Sequence, residues 1–336
     1  MRIGIDAMGG DCAPQEQVRG AVTARPLLGQ DDRIVLIGDE AEVRRCLDRV
    51  GGPQDYIEVV HAEEAIGMDE APVEALRTKP NNSIAVMAEM HRDHRIDACI
   101  SAGNTGACVA AAQMRLRRLR GVHRPGIAIV TPTFHSPVAI CDVGANVNCR
   151  PRHLHQYAVM ASVYMRAICG VEHPRVGVLS VGEEDAKGNV LVKNTRDLIK
   201  DDPNIQFVGN VEGRDLFGGV CDVMVCEGFV GNVVLKLIEG MASSVIDGML
   251  QELAAAMPGQ GAPIRRAAAE IVRKYDYNEY GGAPLLGVAG ICIICHGASN
   301  HRGIMNAVRV AKEFASHQVN ERICELLSQG QRSIHA

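Results

Sequence analysis

Short apolar runs alternate with helical patterns along almost the whole chain of 336 residues. The runs are rich in Val and Ile, and several are apolar at every position, which is typical of strands covered on both faces. Strands that alternate with helices form a mostly parallel sheet between two layers of helices. The sequence therefore predicts an α/β fold with three layers, α/β/α. The predicted strands are Arg2–Asp6, Arg33–Gly38, Tyr56–Val60, Ile96–Ser101, Gly126–Val130, Val138–Val143, Arg175–Val181, Ile205–Gly209, Asp222–Cys226 and Gly290–Cys295.

The segments between these strands carry the helical patterns, and no internal repeat or linker interrupts them. One continuous domain over residues 1–330 is therefore predicted. The predicted helices include Pro14–Leu28, Glu40–Val50, Ser83–His94 and Thr105–Leu119.

Residues 231–277 depart from the alternation. A long helix from Gly231 to Met257, a Pro- and Gly-rich turn, and a second helix from Ile264 to about Tyr275 predict a protruding helical hairpin. A dimer contact is the commoner use of such an element. Apolar residues beside Arg265 at the tip also suit contact with a membrane surface. The two hypotheses are compatible if the arms dimerise and the tip stays free.

Composition narrows the class of protein. The formal net charge is -5 and aromatic residues make up 3%, with no Trp, which argues against a nucleic-acid partner. The 12 Cys follow no disulfide pattern and lie mostly in apolar runs, which indicates a reducing, cytoplasmic location. The N-terminus predicts a strand rather than a signal peptide. The longest apolar run, Ala283–Cys295, is too short to span a bilayer, so an integral membrane protein is not expected.

Five segments rich in Gly, Asn and Asp follow predicted strands, and a sixth leads from Tyr280 through the strand Gly290–Cys295 to Asn300. Open α/β sheets bind ligands at the carboxyl ends of their strands, so these segments form the candidate site. They begin at Asp6, Ser101, Asp142, Gly182, Glu227 and Tyr280.

The segment Ser101–Ala107 gives the strongest indication of function. It follows a strand and opens a helix, and its small residues, Gly106 among them, let backbone N–H groups approach an anion at the helix N-terminus. Ser101, Asn104 and Thr105 add side-chain hydrogen bonds. A glycine turn with a Thr N-cap is the alternative. Three polar side chains and two glycines exceed what a cap needs, so we predict a phosphate-binding loop.

The other segments offer side chains with two interpretations each. Asp6 orients a donor or binds a cation, or belongs to a simple turn. Asp142 and Asn146 position a ligand or support their own loop. Lys187, among three acidic residues, is a point charge for phosphate or an oxyanion, or part of a solvated loop. Asn232 is an oxyanion donor or a helix N-cap.

The run from Cys292 to His296 matches the attachment pattern of c-type haem. The two cysteines lie in an apolar strand and no second Cys/His pair has suitable spacing, so neither haem nor a metal is predicted. The chain also contains neither a Walker loop nor a dinucleotide fingerprint, and no cofactor is expected. His296 has an acid/base function or a structural one.

Taken together, the six segments resemble the acyl-ACP:phosphate transacylase family, the bacterial phosphate acyltransferases of phospholipid synthesis. The matching stretches occur in the family's order and span nearly the whole chain. They are DAMGGDCAP from Asp6, SAGNTGA from Ser101, DVGAN from Asp142, GEEDAKGN from Gly182, EGFVGN from Glu227 and YGGAPLLG from Tyr280. One departure is CHGASN from Cys295, where the family is usually closer to GHGSS.

The resemblance implies transfer of a fatty acyl group from the thioester of acyl carrier protein to inorganic phosphate, giving acyl phosphate. It implies a fold like those of isocitrate and isopropylmalate dehydrogenases and of phosphotransacetylases. It also implies a homodimer, no redox cofactor, and loose attachment to the inner face of the cytoplasmic membrane. A glycerol-3-phosphate acyltransferase is the partner expected downstream.

In this reaction phosphate is the nucleophile and a thiolate leaves, so the protein must position two anionic partners and stabilise charge. We expect Lys187 and Asn232 to stabilise the oxyanion and phosphate, and His296 to protonate the leaving thiolate. The residues expected to bind phosphate are Ser101, Asn104, Thr105, Gly106, Asp6, Asp142 and Asn146.

An acidic carrier protein needs a basic landing patch. The densest cluster ends the helix that opens at Thr105. Equally, the cluster is simply the solvated C-terminal end of the helix, where cations interact favourably with the helix dipole. The cluster comprises Arg115, Arg117, Arg118 and Arg120, with His123 and Arg124 beside them.

Three other functions compete with this one. A CoA-dependent phosphate acyltransferase shares the chemistry and differs only in the donor. A dehydrogenase on the same fold would need the dinucleotide fingerprint that the sequence lacks. A non-enzymatic membrane scaffold would use the hairpin but leave the polar strand-end loops without a function.

Overall fold

The computed structural model describes residues 1–52, 54–257, 259–274 and 277–333, and eleven strands in this part of the chain form one continuous sheet. The strands are β1 (Arg2–Asp6), β2 (Arg33–Gly38), β3 (Ile57–His61), β4 (Ala98–Ser101), β5 (Gly126–Thr131), β6 (Val138–Cys141), β7 (Arg175–Leu179), β8 (Gln206–Val211), β9 (Val223–Val225), β10 (Ala283–Leu286) and β11 (Cys292–Ile294).

Helices occupy the connections between most strands. They are α1 (Gln15–Thr23), α2 (Glu40–Arg49), α3 (Pro72–Thr78), α4 (Ser83–Arg92), α5 (Thr105–Arg115), α6 (Pro151–Ile168), α7 (Val190–Lys200), α8 (Gly228–Ala256), α9 (Gly261–Lys274), α10 (His301–Ser316) and α11 (Val319–Ser333). Short 3-10 helices cover Arg25–Leu27, Gly213–Phe217 and Tyr277–Tyr280.

The side chains of β2 show how the layers are built. Ile34 and Leu36 are buried in a cluster with apolar residues of α1 and α10, whereas Val35 and Ile37 are buried in a cluster with residues of α4 and α5. Successive strand residues point to opposite faces of a sheet. Both faces are therefore covered by helices, and the predicted three-layer α/β/α fold is confirmed.

The sheet consists of two parallel blocks that run in opposite directions. The strand order is β3-β2-β1-β4-β11-β10-β5-β6-β9-β7-β8. β10 is antiparallel to both β11 and β5, and β5 is antiparallel to β6. The carboxyl ends of β1, β4 and β11 consequently lie at one edge, and those of β6, β9 and β7 lie at the opposite edge. A fully parallel sheet would have placed all the candidate loops at a single edge.

Two predicted helices end about a full turn or more before their patterns suggest. α1 ends at Thr23 because Pro26 lacks a backbone N–H and restricts the residue before it. α5 ends at Arg115 rather than Leu119, and Arg117 has a positive φ of 65°. The chain turns there and runs beside the residues that follow β10, where the Leu119 N–H donates to the Gly287 carbonyl at 2.9 Å.

The hairpin consists of α8 and α9, which contact each other. Of the predicted turn and arms, Pro258, Tyr275 and Asp276 lie outside the described residues. Within the described part, α8 alone is long and apolar enough to cross a membrane by length and composition. A row of exposed apolar side chains occupies every fourth position of α8 and ends at its C-cap, Met257. These are Phe229, Val233, Leu237, Met241, Val245, Met249, Leu253 and Met257.

Candidate active site

Three of the candidate loops pack together at the carboxyl ends of β1, β4 and β11, and we call residues 6–11, 101–106 and 295–300 the first loop group. A Cβ on Gly9 would lie 2.6 Å from the Gly103 nitrogen, so only glycine allows the first two loops to touch. The Asp11 N–H donates to the Gly297 carbonyl at 2.8 Å, which joins the third loop. The three loops therefore form one rigid unit.

Asp6 and Ser101 lie at the centre of the first loop group, and both side chains are buried. The Ser101 hydroxyl donates to Asp6 Oδ2 at 2.7 Å and accepts from the Gly103 N–H at 3.0 Å. Burial raises the pKa of the Asp6 carboxyl, and its hydrogen bonds oppose that shift. The pair holds the loop in shape, and direct phosphate binding by Asp6 and Ser101 stays a prediction.

Asn104 caps α5, and its side chain is committed to the protein. Its Oδ1 accepts from the Ala107 N–H at 3.1 Å, and its amide donates to the carbonyls of Gly67, Met68 and Glu70 at 3.2, 3.2 and 3.0 Å. Direct phosphate binding by this amide stays a prediction. The contacts identify Asn104 as the residue that fixes the helix start against the 67–70 loop.

Thr105 and Gly106 form the first turn of α5, where helix N–H groups have no intrahelical acceptor. Thr105 is exposed, and Gly106 is half-buried. The helix dipole adds a positive potential at this end. Of the predicted phosphate-binding residues, this pair is therefore the one placed to meet an anion directly.

The other loops pack at the opposite edge, and we call residues 142–147, 182–189 and 227–232 the second loop group. A Cβ on Gly228 would lie 2.7 Å from the Asn146 carbonyl oxygen, and one on Gly231 would overlap the Asp142 carbonyl. The first turn of α8 is therefore pressed against the 142–147 loop, an approach that these two glycines permit.

Asp142 and Asn146 are buried and bonded within this second group. The Asp142 carboxylate accepts from the backbone N–H groups of Ile127 and Asn146 at 2.9 and 2.7 Å. The Asn146 amide donates to the Pro125 carbonyl, to Asp142 and to the Tyr157 hydroxyl. Burial raises the pKa of Asp142 to about 6. Direct phosphate binding by the two side chains stays a prediction, and their contacts favour support of the loop.

Lys187 and Asn232 are exposed in the second loop group. Lys187 lies in a turn where its N–H donates to the Glu184 carbonyl at 2.9 Å. Asn232 is not an N-cap, because Glu227 caps α8, and its side chain lies against the Gly144 loop. Within the part of the chain that the structure describes, no hydrogen bond connects Lys187 with Asn232. Both remain available to a ligand.

The helix α8 connects the two loop groups. Lys236 lies one turn after Asn232 and therefore on the same helix face, about 6 Å further along the axis. Its Nζ lies 3.1 Å from His296 Nε2 in the first loop group and 2.8 Å from Glu239 Oε2. Sequence reasoning missed Lys236, although its spacing of four from Asn232 could have indicated it.

The predicted docking arginines do not form one uniform patch. Arg115 is half-buried and pairs with Glu89 at 3.0 Å, whereas Arg117, Arg118 and Arg120 are exposed. Because α5 starts at the first edge of the sheet and spans about 16 Å, its C-terminal end lies at the second edge. The arginines are thus beside the second loop group rather than remote from both groups.

Comparisons with known proteins identify the family of the chain and related folds. The model of the family described as "Fatty acid synthesis protein" matches residues 1–322. A phosphate acyltransferase of Nitratidesulfovibrio vulgaris (strain DP4) is 46% identical over 327 residues, covering 97% of this chain and 94% of the relative. A phosphate acyltransferase of Geotalea uraniireducens (strain Rf4) is 44% identical over 98% of this chain and 95% of the relative.

Two solved structures share the fold. The EutD phosphotransacetylase from Staphylococcus aureus has a TM-score of 0.62 at 13% identity, over 95% of this chain and 94% of its own. A phosphotransacetylase from Streptococcus pyogenes has a TM-score of 0.61 at 15% identity, over 96% and 94%. At such low identity these structures compare with the chain in fold alone.

The fold, the loops and the relatives together define an acyltransferase with a three-layer α/β/α architecture. The chain belongs to the fatty acid synthesis protein family, whose curated relatives carry the name phosphate acyltransferase. The resemblance predicted from the six segments is thereby confirmed.

Proposed function

We propose that this acyltransferase moves a fatty acyl group from the thioester of acyl carrier protein to inorganic phosphate, and that the acyl phosphate serves phospholipid synthesis. A phosphate oxygen attacks the thioester carbonyl, a tetrahedral oxyanion forms, and the pantetheine thiolate leaves. Because the nucleophile and the leaving group are both competent, the protein acts by positioning and by stabilising charge.

The contact between Lys236 and His296 carries the proposal, since it ties α8 to the first loop group while Asn232 touches the second. Phosphate bound at the first turn of α5 lies on the side of the site where Lys236 reaches the first loop group. The thioester carbonyl lies toward Asn232 and Lys187, whose amide and ammonium stabilise the oxyanion. His296, which lies beside Lys236, then donates a proton to the thiolate.

The donor is inferred from charge. The chain as a whole has a formal net charge of -5, yet Arg117, Arg118 and Arg120 are exposed together beside the second loop group. A local basic patch on an acidic protein suits an acidic macromolecular partner. It supports a carrier protein over CoA as the acyl donor.

The exposed row on α8 supports a homodimer and a membrane contact. Four residues advance about 40° beyond one full turn, so the row turns by about 200° between Val233 and Leu253. One flat surface cannot cover both ends. The base of the row then faces a second copy, and the tip, with Arg265 and Arg266 nearby, lies on the cytoplasmic membrane surface. Asp247 and Glu252 on α8 make a spanning helix costly.

Both contacts are open to direct tests. A Val233→Glu variant that sediments like the wild type would contradict the dimer. A Leu253→Glu variant that binds anionic vesicles as well as the wild type does would contradict the membrane contact. A membrane-bound enzyme would also release acyl phosphate close to a downstream glycerol-3-phosphate acyltransferase.

The central experiment measures phosphate-dependent thiol release from acyl-ACP and from acyl-CoA. We expect acyl-ACP to be used with the higher kcat/KM. Reversing charge with Arg117→Glu and Arg118→Glu should raise the KM for acyl-ACP at least tenfold and leave the KM for phosphate unchanged. The matched control is Arg44→Glu with Arg45→Glu, an adjacent exposed pair on α2.

Other outcomes identify the competing functions. Preference for acyl-CoA would make the protein a CoA-dependent enzyme, and no thiol release from either donor would make it a scaffold. Equal increases in the KM for acyl-ACP and for phosphate would contradict docking at the arginines.

A further inference from the structure

A cleft of about 510 Å³ opens beside the second loop group, between the end of α5 and the start of α6. It is lined by Arg118, Arg124, Arg150, His123 and His153, and Asn148 and Cys149 complete the lining. None of these seven residues is acidic. Three arginines therefore line one concave surface of a chain whose formal net charge is -5.

The arginines of the cleft are not neutralised by the protein. Among the described residues, Arg118, Arg124 and Arg150 form no ion pair with a carboxylate. Arg118 Nη1 donates to the His123 carbonyl at 2.6 Å, which orients its guanidinium at the rim without cancelling its charge. Arginine presents a planar set of donors that matches a phosphate group in two-point contacts.

The start of α6 adds to the positive potential. This helix has 18 residues, begins at Pro151, and points its N-terminal end at the cleft through Arg150 and His153. The His153 ring lies 6.3 Å from that of His123, and its Nδ1 accepts the Arg150 N–H at 3.2 Å. Burial lowers the pKa of His153, and Arg124, His123 and Arg150 lower it further. The imidazole therefore experiences an uncompensated positive field.

The position of the cleft connects it to the proposed reaction. Cys149 Sγ donates to the Asn146 carbonyl at 3.4 Å, so the lining continues directly into the 142–147 loop. Burial raises the pKa of Cys149 to about 11, which keeps this thiol neutral and inert. The exposed residues Arg117, Arg118 and Arg120, which we call the docking patch, lie on the other side of the cleft. Arg118 belongs both to the docking patch and to the lining of the cleft.

We propose that this cleft binds a phosphate group, supplied either by inorganic phosphate or by the phosphodiester of the donor's pantetheine arm. The phosphodiester joins the arm to the carrier surface and the thioester lies at the arm's far end. A phosphate site between the docking patch and the 142–147 loop would fix the arm at the point where it leaves the carrier. This choice of source depends on the proposed function, whereas phosphate binding itself does not.

Binding is measured first, without turnover, on the full chain. Inorganic phosphate, 4′-phosphopantetheine and pantetheine are titrated in separate experiments while the His153 imidazole is followed by NMR. A bound phosphate favours the protonated imidazole, so it should raise the pKa of His153. We expect at least tenfold weaker binding of the phosphate ligands to an Arg124→Gln, Arg150→Gln variant, since each lost charge-assisted contact is large. Both arginines are exposed, and circular dichroism verifies the fold of the variant.

The matched control is Arg152→Gln, an exposed arginine on the first turn of α6 that does not line the cleft. It should bind all three ligands like the wild type. If pantetheine and 4′-phosphopantetheine bind equally and inorganic phosphate leaves His153 unchanged, the proposal is wrong.

Steady-state kinetics then identify the source. An increase in the KM for acyl-ACP alone, in the Arg124→Gln, Arg150→Gln variant, assigns the cleft to the pantetheine phosphodiester. An increase in the KM for phosphate alone assigns it to the acceptor. If the KM values for acyl-ACP and for phosphate are both unchanged, the cleft has no function in the reaction. A wild-type enzyme that binds phosphate in the cleft but releases no thiol would instead contradict the proposed function.

Discussion

The two loop groups hold similar residues and use them differently. In the first group the polar side chains of Asp6, Ser101 and Asn104 are buried and bonded to the protein, and the exposed donors belong to the start of α5. In the second group Lys187 and Asn232 are exposed, although the loop beneath them is equally well bonded. In the proposed function, the backbone and the helix dipole of the first group would bind the fixed anion, and the side chains of the second group would stabilise the charge that develops during the reaction.

This difference has a physical reason. Inorganic phosphate is charged before and after it binds, so a rigid cradle of N–H groups suits it. The thioester carbonyl is neutral until the nucleophile attacks, and interactions that strengthen only in the transition state accelerate the reaction. We therefore expect substitutions in the second group to change kcat, and those in the first group to change stability or the KM for phosphate.

The largest effect is expected for Lys187→Ala. Removing an ammonium that stabilises an oxyanion should lower kcat by about 100-fold or more at saturating phosphate. Thiol release from acyl-ACP measures it. Lys193→Ala is the control, because Lys193 is an exposed lysine of the adjacent α7. Near-normal turnover of Lys187→Ala would remove this residue from the mechanism.

A smaller effect, on stability, is expected for Asn104→Ala. The substitution removes the cap of α5 and leaves the carbonyls of Gly67, Met68 and Glu70 without their donor. The free energy of unfolding should fall by about 2 kcal/mol. Urea titration measures it, with Asn189→Ala as the control, because Asn189 caps α7 through a single exposed bond to the Val192 N–H. If the free energy of unfolding falls no more in Asn104→Ala than in Asn189→Ala, Asn104 does not fix the start of α5 against the 67–70 loop.

The fold was largely predictable because most of the strands have a clear apolar pattern. Runs such as Ile34–Ile37 are apolar at every position, which is typical of a strand covered on both faces. β10 was not predicted as a strand, since Ala283–Leu286 is short and contains Pro284. The residues of a strand also do not reveal whether it runs parallel or antiparallel to its neighbours. The reversal at β10 and β6, which separates the loops onto two edges, therefore could not be predicted.

The site was predictable as a set of loops but not as a set of contacts. Glycines such as Gly9 and Gly228 mark close approaches that the sequence indicates by residue type alone. Whether an asparagine faces a ligand or the protein depends on partners distant in sequence, as the bonds of Asn104 to the 67–70 loop show. Lys236 was missed because it lies a full helical turn beyond the 227–232 loop, outside the segments rich in Gly, Asn and Asp.

The smallest effect is expected for Thr105→Ala, and it separates direct phosphate binding from support of the loop. Thr105 is exposed at the first turn of α5, so its loss should leave the free energy of unfolding nearly unchanged. One hydrogen bond to phosphate is lost, and the KM for phosphate should rise by roughly threefold to tenfold while kcat is retained. Thr78→Ala, at an exposed threonine of α3, should change neither quantity. An unchanged KM for phosphate in Thr105→Ala would mean that backbone N–H groups alone bind phosphate. The first loop group would then act only through main-chain donors, and the second loop group through side chains.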